Sequence, residues 1–196
     1  MTDHDNRELV LFLGDSITAG GNWQERIPDE RVLNLGVDGD TTDDVLGRLE
    51  EVVAHQPDVI VLLIGTNDFG HHRASAEHVV RNIETILVTL RRDLPGVRLL
   101  LVSILPRGTA FASRVEETNR HLRQFVATCR AQFLDMWPML ADGDQLAAEY
   151  TDDDLHLTEE GYRAYTSELL PALERVRERP PMSRPISIVD MGDLQG

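Results

Sequence analysis

Short apolar runs alternate along this chain with longer stretches of helical period. Leu9 to Leu13, Val32 to Leu35, Val59 to Ile64, Val97 to Ile104 and Phe133 to Met136 read as strands, several of them apolar on both faces. Thr42 to His55, Ser75 to Asp93, Ser113 to Arg130 and Thr158 to Arg177 read as helices. In the second of these, Val79, Val80, Ile83, Ile86, Leu87 and Leu90 recur at three- and four-residue intervals, the stripe of a helix laid on a sheet. Strand followed by helix, repeated, predicts an α/β fold: a three-layer α/β/α sandwich around a five-stranded parallel sheet with right-handed crossovers. Ligands of such sheets bind beyond the carboxyl ends of the strands, so chemistry is sought there.

The first strand runs into Gly14-Asp15-Ser16-Ile17-Thr18-Ala19-Gly20. Small residues allow a sharp turn into a helix whose first N–H groups and positive dipole end face the cleft, with Ser16 at the start. A serine there is also a plain N-cap, and as a nucleophile it needs a base and an oxyanion site. The second strand ends Asn34-Leu35-Gly36-Val37-Asp38-Gly39-Asp40-Thr41-Thr42. No Lys follows these glycines and Asp38 and Asp40 would repel phosphate, so a backbone amide donor fits better than a phosphate loop. The third strand ends Gly65-Thr66-Asn67-Asp68, where a turn is the ordinary reading and the Asn67 side chain can also offer N–H to the cleft. Far along the chain, Asp152-Asp153-Asp154-Leu155-His156-Leu157-Thr158 precedes the last helix, with Thr158 as its N-cap and His156 on the loop. An aspartate three residues before the histidine can accept from one imidazole nitrogen and leave the other as a base.

Composition narrows the partners. The 196 residues carry 34 Asp and Glu against 19 Lys and Arg, a formal charge of −15. Such a surface repels phosphate backbones and anionic lipid, which argues against nucleic acid and charged membranes. A lone cysteine, Cys129, makes no intrachain disulfide, the start lacks the basic and apolar regions of a secretory signal, and no apolar run approaches membrane-spanning length. A soluble, cytoplasmic protein without membrane insertion is expected. Three prolines within six residues after Arg177 stop the last helix, so the chain divides into a domain over 1–177 and a C-terminal tail over 178–196.

Gly-Asp-Ser near the start, the Asn-x-Gly-x-x-Gly-Asp turn, Gly-Thr-Asn-Asp, and Asp-x-x-His-Leu near the end, in this order, resemble the SGNH hydrolases, or GDSL-like esterases and lipases. The spacing looks most like the platelet-activating-factor acetylhydrolase-like branch, over about Leu9 to Leu173. The resemblance implies a flavodoxin-like sheet and hydrolysis of carboxylic esters through an acyl-enzyme, and the lack of a long apolar lid segment in the sequence points to small or short-chain esters rather than long-chain fat. It implies Ser16 as nucleophile, His156 as general base and then acid, and Asp153 as the acid that orients it. It also implies oxyanion donors at the Ser16 N–H, the Gly39 N–H and the Asn67 amide, no cofactor or metal, and a homodimer. Family members often carry Gly where Asp154 stands, which leaves Asp152 and Asp154 as rivals to Asp153 for the orienting role.

Asp15, Trp23, Phe69 and Phe111 lie near the strand ends and are candidates for a substrate pocket, with ordinary packing as the competing reading for the aromatics. Asp38, Asp40, Asp43 and Asp44 surround the second block; facing the cleft they would disfavour anionic substrates and suit neutral esters or acetylated sugars. Two other readings compete with the serine esterase. One is a Mg²⁺-dependent phosphohydrolase using Asp15, Asp68 and Asp152 to Asp154 as oxygen ligands. The other is a binding subunit that keeps the fold without catalysis. His71 and His72 with His156 are a poor zinc set, because adjacent histidines cannot easily aim at one ion.

Overall fold

A computed structural model describes residues 7–70 and 74–178. Five parallel strands form the central sheet: β1 (Leu9–Gly14), β2 (Arg31–Gly36), β3 (Val59–Leu63), β4 (Arg98–Val102) and β5 (Gln132–Leu134), in the order β2-β1-β3-β4-β5. Leu9 pairs with Arg31 and Val10 with Val59, so β1 lies between β2 and β3. Around the sheet lie α1 (Ser16–Ala19), α2 (Trp23–Arg26), α3 (Thr42–Gly47), α4 (Leu49–Ala54), α5 (Thr66–Gly70), α6 (Ala76–Asp93), α7 (Ala112–Phe125), α8 (Trp137–Leu140) and α9 (Glu159–Glu178). A small antiparallel hairpin, β6 (Ala141–Asp142) and β7 (Gln145–Leu146), follows α8.

Alternation of side chains along each strand divides the core into two layers. Leu11, Leu13, Ile60, Leu62, Leu99 and Leu101 pack on one face with Val45, Val52, Ile83, Ile86 and Val115 from α3, α4, α6 and α7. Val10, Phe12, Val59, Val61, Leu100 and Val102 pack on the other with Met136, Tyr165, Leu169 and Leu173, largely from α9. Both faces are covered, which is why these strands are apolar throughout. The three-layer sandwich expected from the pattern is therefore the fold observed.

The helices differ in detail. Thr42 to His55 is two helices, because Arg48 leaves helical geometry (φ −122°, ψ 17°) between α3 and α4. Ser113 to Arg130 is α7 followed by a 3₁₀ turn over Val126–Cys129, and Met136 lies beyond β5 at the start of α8. The last helix is described as far as Glu178, the first residue of the expected tail; residues 179–196 and the His71-His72 pair lie outside the described residues.

The order β2-β1-β3 means that the chain leaves β1 to one side and resumes at β3 on the other. The resulting switch point opens a crevice between the carboxyl ends of β1 and β3. Ser16 begins the helix after β1 and Asn67 lies in the helix after β3. The fold thus sets these two residues on either side of one crevice.

Candidate active site

Gly14 closes β1 against its neighbour: a methyl on its α-carbon would come within 2.1 Å of the Leu63 carbonyl, so only glycine fits. Asp15 then caps α1 by accepting from the Ile17 N–H at 3.0 Å, and Ser16 is the first helical residue rather than the cap. One turn of helix is too short to hold itself, and its last carbonyls are fixed from outside. Tyr162 Oη donates to the Ile17 carbonyl at 2.7 Å, Trp23 Nε1 to that of Thr18 at 2.7 Å, and Asn34 Nδ2 to Thr18 and Ala19 at 3.1 and 3.0 Å. Three elements therefore lock the turn that presents Ser16.

His156 Nε2 lies 3.1 Å from Ser16 Oγ, and His156 Nδ1 lies 2.7 Å from Asp153 Oδ2. The loop carrying both is closed at its base by a β-bridge between Thr151 and Leu157. Asp153 Oδ1 accepts the N–H groups of Leu155 and His156 at 3.0 and 2.7 Å, which curls the loop around the carboxylate. The imidazole and these amides hold the Asp153 carboxyl well below the ordinary aspartate value of 3.8, at about 2. Of the three consecutive aspartates it is Asp153 that meets the imidazole. Asp154 takes a left-handed backbone, φ 62°, next to it. With Asp153 on Nδ1, the tautomer protonated there leaves the Nε2 lone pair facing Ser16.

The other two strand ends meet across the crevice. Gly39 adopts φ +83° in the turn from Val37 to Asp40. Asn67 is nearly buried, and its Nδ2 donates to the Asp40 carbonyl at 2.9 Å. Asp68, next in chain, accepts the Thr42 N–H at 3.0 Å and hydroxyl at 2.5 Å, joining α5 to the start of α3. Arg48 donates to Asp40 Oδ2 at 2.9 Å and to the carbonyls of Gly14 and Leu35 at 3.2 and 2.9 Å. The break in the helix at Arg48 is what lets one guanidinium bind the ends of β1 and β2 and the Gly39 turn. Among the described residues the Gly39 N–H makes no hydrogen bond.

Several sequence expectations are corrected. Asp15 is 1 % exposed and serves as a helix cap, so it does not line a pocket; burial pushes its carboxyl up to about 7. Trp23 is also 1 % exposed, its ring stacked on Phe12 at 4.4 Å, and belongs to the core. Phe69 is buried in the opposite layer, whereas Phe111 is only partly covered. Asp15, Asp68 and Asp152 to Asp154 do not converge as a ligand set. Among the described residues the acids and imidazole close enough to share an ion are Asp43, Asp68 and His78. There His78 Nε2 lies 2.9 Å from Asp43, and Asn82 Nδ2 donates to Asp43 at 2.9 Å, a hydrogen that opposes a cation.

Of the four acids beside the Gly39 turn, three have partners and Asp38 is exposed. Asp40 pairs with Arg48, Asp43 with His78, and Asp44 accepts from the Thr41 N–H and hydroxyl. Tyr162 and Arg48 are supporting residues that pattern reading gave no role, and Asn34 and Asp68, quoted there only as parts of motifs or as a metal ligand, prove to be supporting residues too. Each acts through a contact at least 13 residues away in sequence, which leaves no local trace.

Residues 12–164 match the family model described as the GDSL-like lipase/acylhydrolase family. The chain is 33% identical over 170 residues to platelet-activating factor acetylhydrolase IB subunit alpha1 of Bos taurus, covering 81% of this chain and 72% of that one. It is 28% identical to the alpha2 subunit of Bos taurus, over 94% and 84% of the two chains. A crystal structure of a GDSL-like lipase from Bacteroides thetaiotaomicron superposes with a TM-score of 0.76 at 23% identity, over 86% and 88% of the chains, a likeness of fold. Among the described residues no helix is long and apolar enough to cross a membrane. The chain belongs to the GDSL-like lipase/acylhydrolase family, the SGNH hydrolases, in the platelet-activating-factor acetylhydrolase-like branch, and is a hydrolase of esters.

Proposed function

We propose that the protein is a serine esterase that cleaves small or short-chain, acetyl-type carboxylic esters through an acyl-enzyme. The observation that carries this reading is the unbroken hydrogen-bonded row from Ser16 Oγ through His156 to Asp153. His156 Nε2 takes the Ser16 proton as Oγ attacks the carbonyl carbon, and Asp153 steadies the imidazolium that forms. The carbonyl oxygen, now anionic, accepts hydrogen bonds from the Ser16 and Gly39 N–H groups and the second hydrogen of Asn67 Nδ2. The tetrahedral intermediate collapses by breaking the bond to the alcohol oxygen, which takes its proton from Nε2. Water then repeats the sequence on the acyl-Ser16 ester and releases the acid.

Membership of the acetylhydrolase-like branch supports an acetyl-type acyl group, and the relatives' designation as subunits supports assembly of this chain as a homodimer. The test is labelling by a fluorophosphonate together with turnover of p-nitrophenyl acetate. Wild-type protein is expected to be labelled at Ser16 and to turn over ester regardless of EDTA. Ser16→Ala is expected to lose both labelling and turnover with its circular dichroism unchanged. Full activity in Ser16→Ala, or a folded wild type that neither labels nor hydrolyses, overturns the reading; the second result would favour a non-catalytic binding subunit.

A further inference from the structure

Arg107, on the loop between β4 and α7, and Arg114, in the first turn of α7, meet at the site end of the sheet, and among the described residues neither is paired with an acid at salt-bridge distance. Arg107 Nη1 donates to the Thr66 carbonyl at 2.8 Å and lies 3.2 Å from its hydroxyl, directly beside Asn67. Its neighbour Gly108 lies against the His156 loop: a methyl on that glycine would come 4.0 Å from the Asp154 β-carbon. Arg107 therefore sits between the two segments that carry Asn67 and His156. Its guanidinium lies 3.9 Å from the centre of the Phe111 ring, and the Arg114 guanidinium lies 5.5 Å from the same ring.

Neither arginine forms an ion pair among the described residues, and the buried Nε of Arg107 has no hydrogen-bond partner. Burial and then the neighbouring Arg114 charge hold the Arg107 guanidinium below the usual arginine range, against a smaller opposing pull from the buried Asp15. Two half-buried cations side by side repel each other and have each lost water, a cost normally offset by a carboxylate. In a chain with 34 acidic and 19 basic residues, an unneutralised pair at the crevice runs against the average composition. An incoming anion relieves both the repulsion and the lost hydration, and the planar fork of Arg suits its oxygens.

We propose that Arg107 and Arg114, sharing the Phe111 ring, bind a carboxylate or phosphate group carried by the ester substrate. The inference rests on the serine esterase reading. Because an acetyl group can carry no charge, the anion belongs to the alcohol portion. This is the opposite of the neutral-ester preference that the acids of the second block would give if they faced the cleft.

The test compares kcat/KM for three acetyl esters of similar size: 4-acetoxybenzoate, 4-acetoxyphenyl phosphate and the neutral 4-acetoxybenzamide, each normalised to its alkaline hydrolysis rate. Wild type is expected to favour at least one anionic ester over the amide by about tenfold, the scale of one charge-assisted contact. The favoured anion identifies carboxylate or phosphate. Arg114→Gln and Arg107→Gln are expected to bring that ratio close to one, while Arg92→Gln, which removes a positive charge from exposed α6, leaves it where it was. Equal rates on all three esters, or the same fall in ratio for Arg92→Gln, overturn the inference and leave the esterase standing. Failure to hydrolyse any ester overturns both.

Discussion

Asn67 Nδ2 donates to the backbone carbonyl of Asp40 across 2.9 Å, so the side chain that follows β3 is fixed to the turn that follows β2. One of its two hydrogens is held by this bond, and the other is the one proposed to meet the substrate oxygen. Asn67→Ala is therefore expected to lower kcat by about 10²–10³ with a much smaller change in KM, since the donor is strongest against the anionic transition state. Steady-state kinetics on p-nitrophenyl acetate measure this. A loss confined to KM would remove Asn67 from the oxyanion role.

Arg48 makes a second bridge among the same loops. Its side chain is 18 % exposed and that of Asp40 11 %, so removing the guanidinium strands a nearly buried carboxylate and the carbonyls of Gly14 and Leu35. Arg48→Ala is expected to destabilise the fold by about 3–5 kcal/mol. Arg48→Lys should recover only part of this, because one ammonium cannot span three acceptors in the geometry of the fork. Urea unfolding of the two variants checks the order, and equal stability of both with wild type would exclude the bridge as a source of stability.

Asp15 gives a pH signature. Burial raises its carboxyl from 3.8 to about 7, so between roughly pH 4 and 7 the folded protein holds a proton that the unfolded chain has lost. The Asp15 contribution therefore favours folding below this window and is lost as pH rises through it. Asp153 has the opposite sign: its lowered carboxyl stabilises the fold above about pH 4 and loses that effect as pH falls towards 2. Asp15→Asn keeps an oxygen for the Ile17 N–H and cannot ionise. Relative to wild type, its unfolding free energy is expected to be higher at pH 7.5 than at pH 4.5 by a few kcal/mol. A difference independent of pH would show that Asp15 does not change ionisation on folding.

The sheet was readable because strands buried on both faces write themselves as runs such as Val59 to Ile64. The division of Thr42 to His55 was not, since Val45, Leu49 and Val52 keep one helical face across the break and Arg48 turns away only to reach distant carbonyls. Helices of four or five residues, such as α1, α2, α5 and α8, are too short to show a period. The residues proposed for chemistry stood out because each lies just past a strand or before α9. Trp23 stays undecided in the sequence for a related reason: an aromatic after a strand end reads the same whether it turns to the crevice or, as here, stacks on Phe12. The arginine pair on Phe111 was invisible because Arg107, on the loop after β4, and Arg114, in α7, come to one ring only in the folded chain.

Asp152 to Asp154 provide the last test, because of three consecutive exposed aspartates one meets the imidazole and another carries a left-handed backbone. Asp153 Oδ2 meets His156 Nδ1, while Asp154 carries the left-handed backbone, φ 62°, that favours glycine and tolerates aspartate. Glycine at this place in related sequences thus has a conformational explanation and need not bear on the identity of the orienting acid. Asp154→Gly relieves about 1 kcal/mol of backbone strain, and the added freedom of the unfolded chain offsets a similar amount. Its stability and kcat should therefore stay close to wild type. Asp153→Asn keeps the shape but turns an acceptor for Nδ1–H into an amide that can favour the wrong tautomer, and kcat is expected to fall by about 10⁴. Asp152→Asn should change kcat less than a few-fold, as its side chain takes no part in the row. Parallel kcat measurements on the three variants decide the assignment: a large loss at Asp152 or Asp154 with activity kept at Asp153 would move the orienting role to that neighbour.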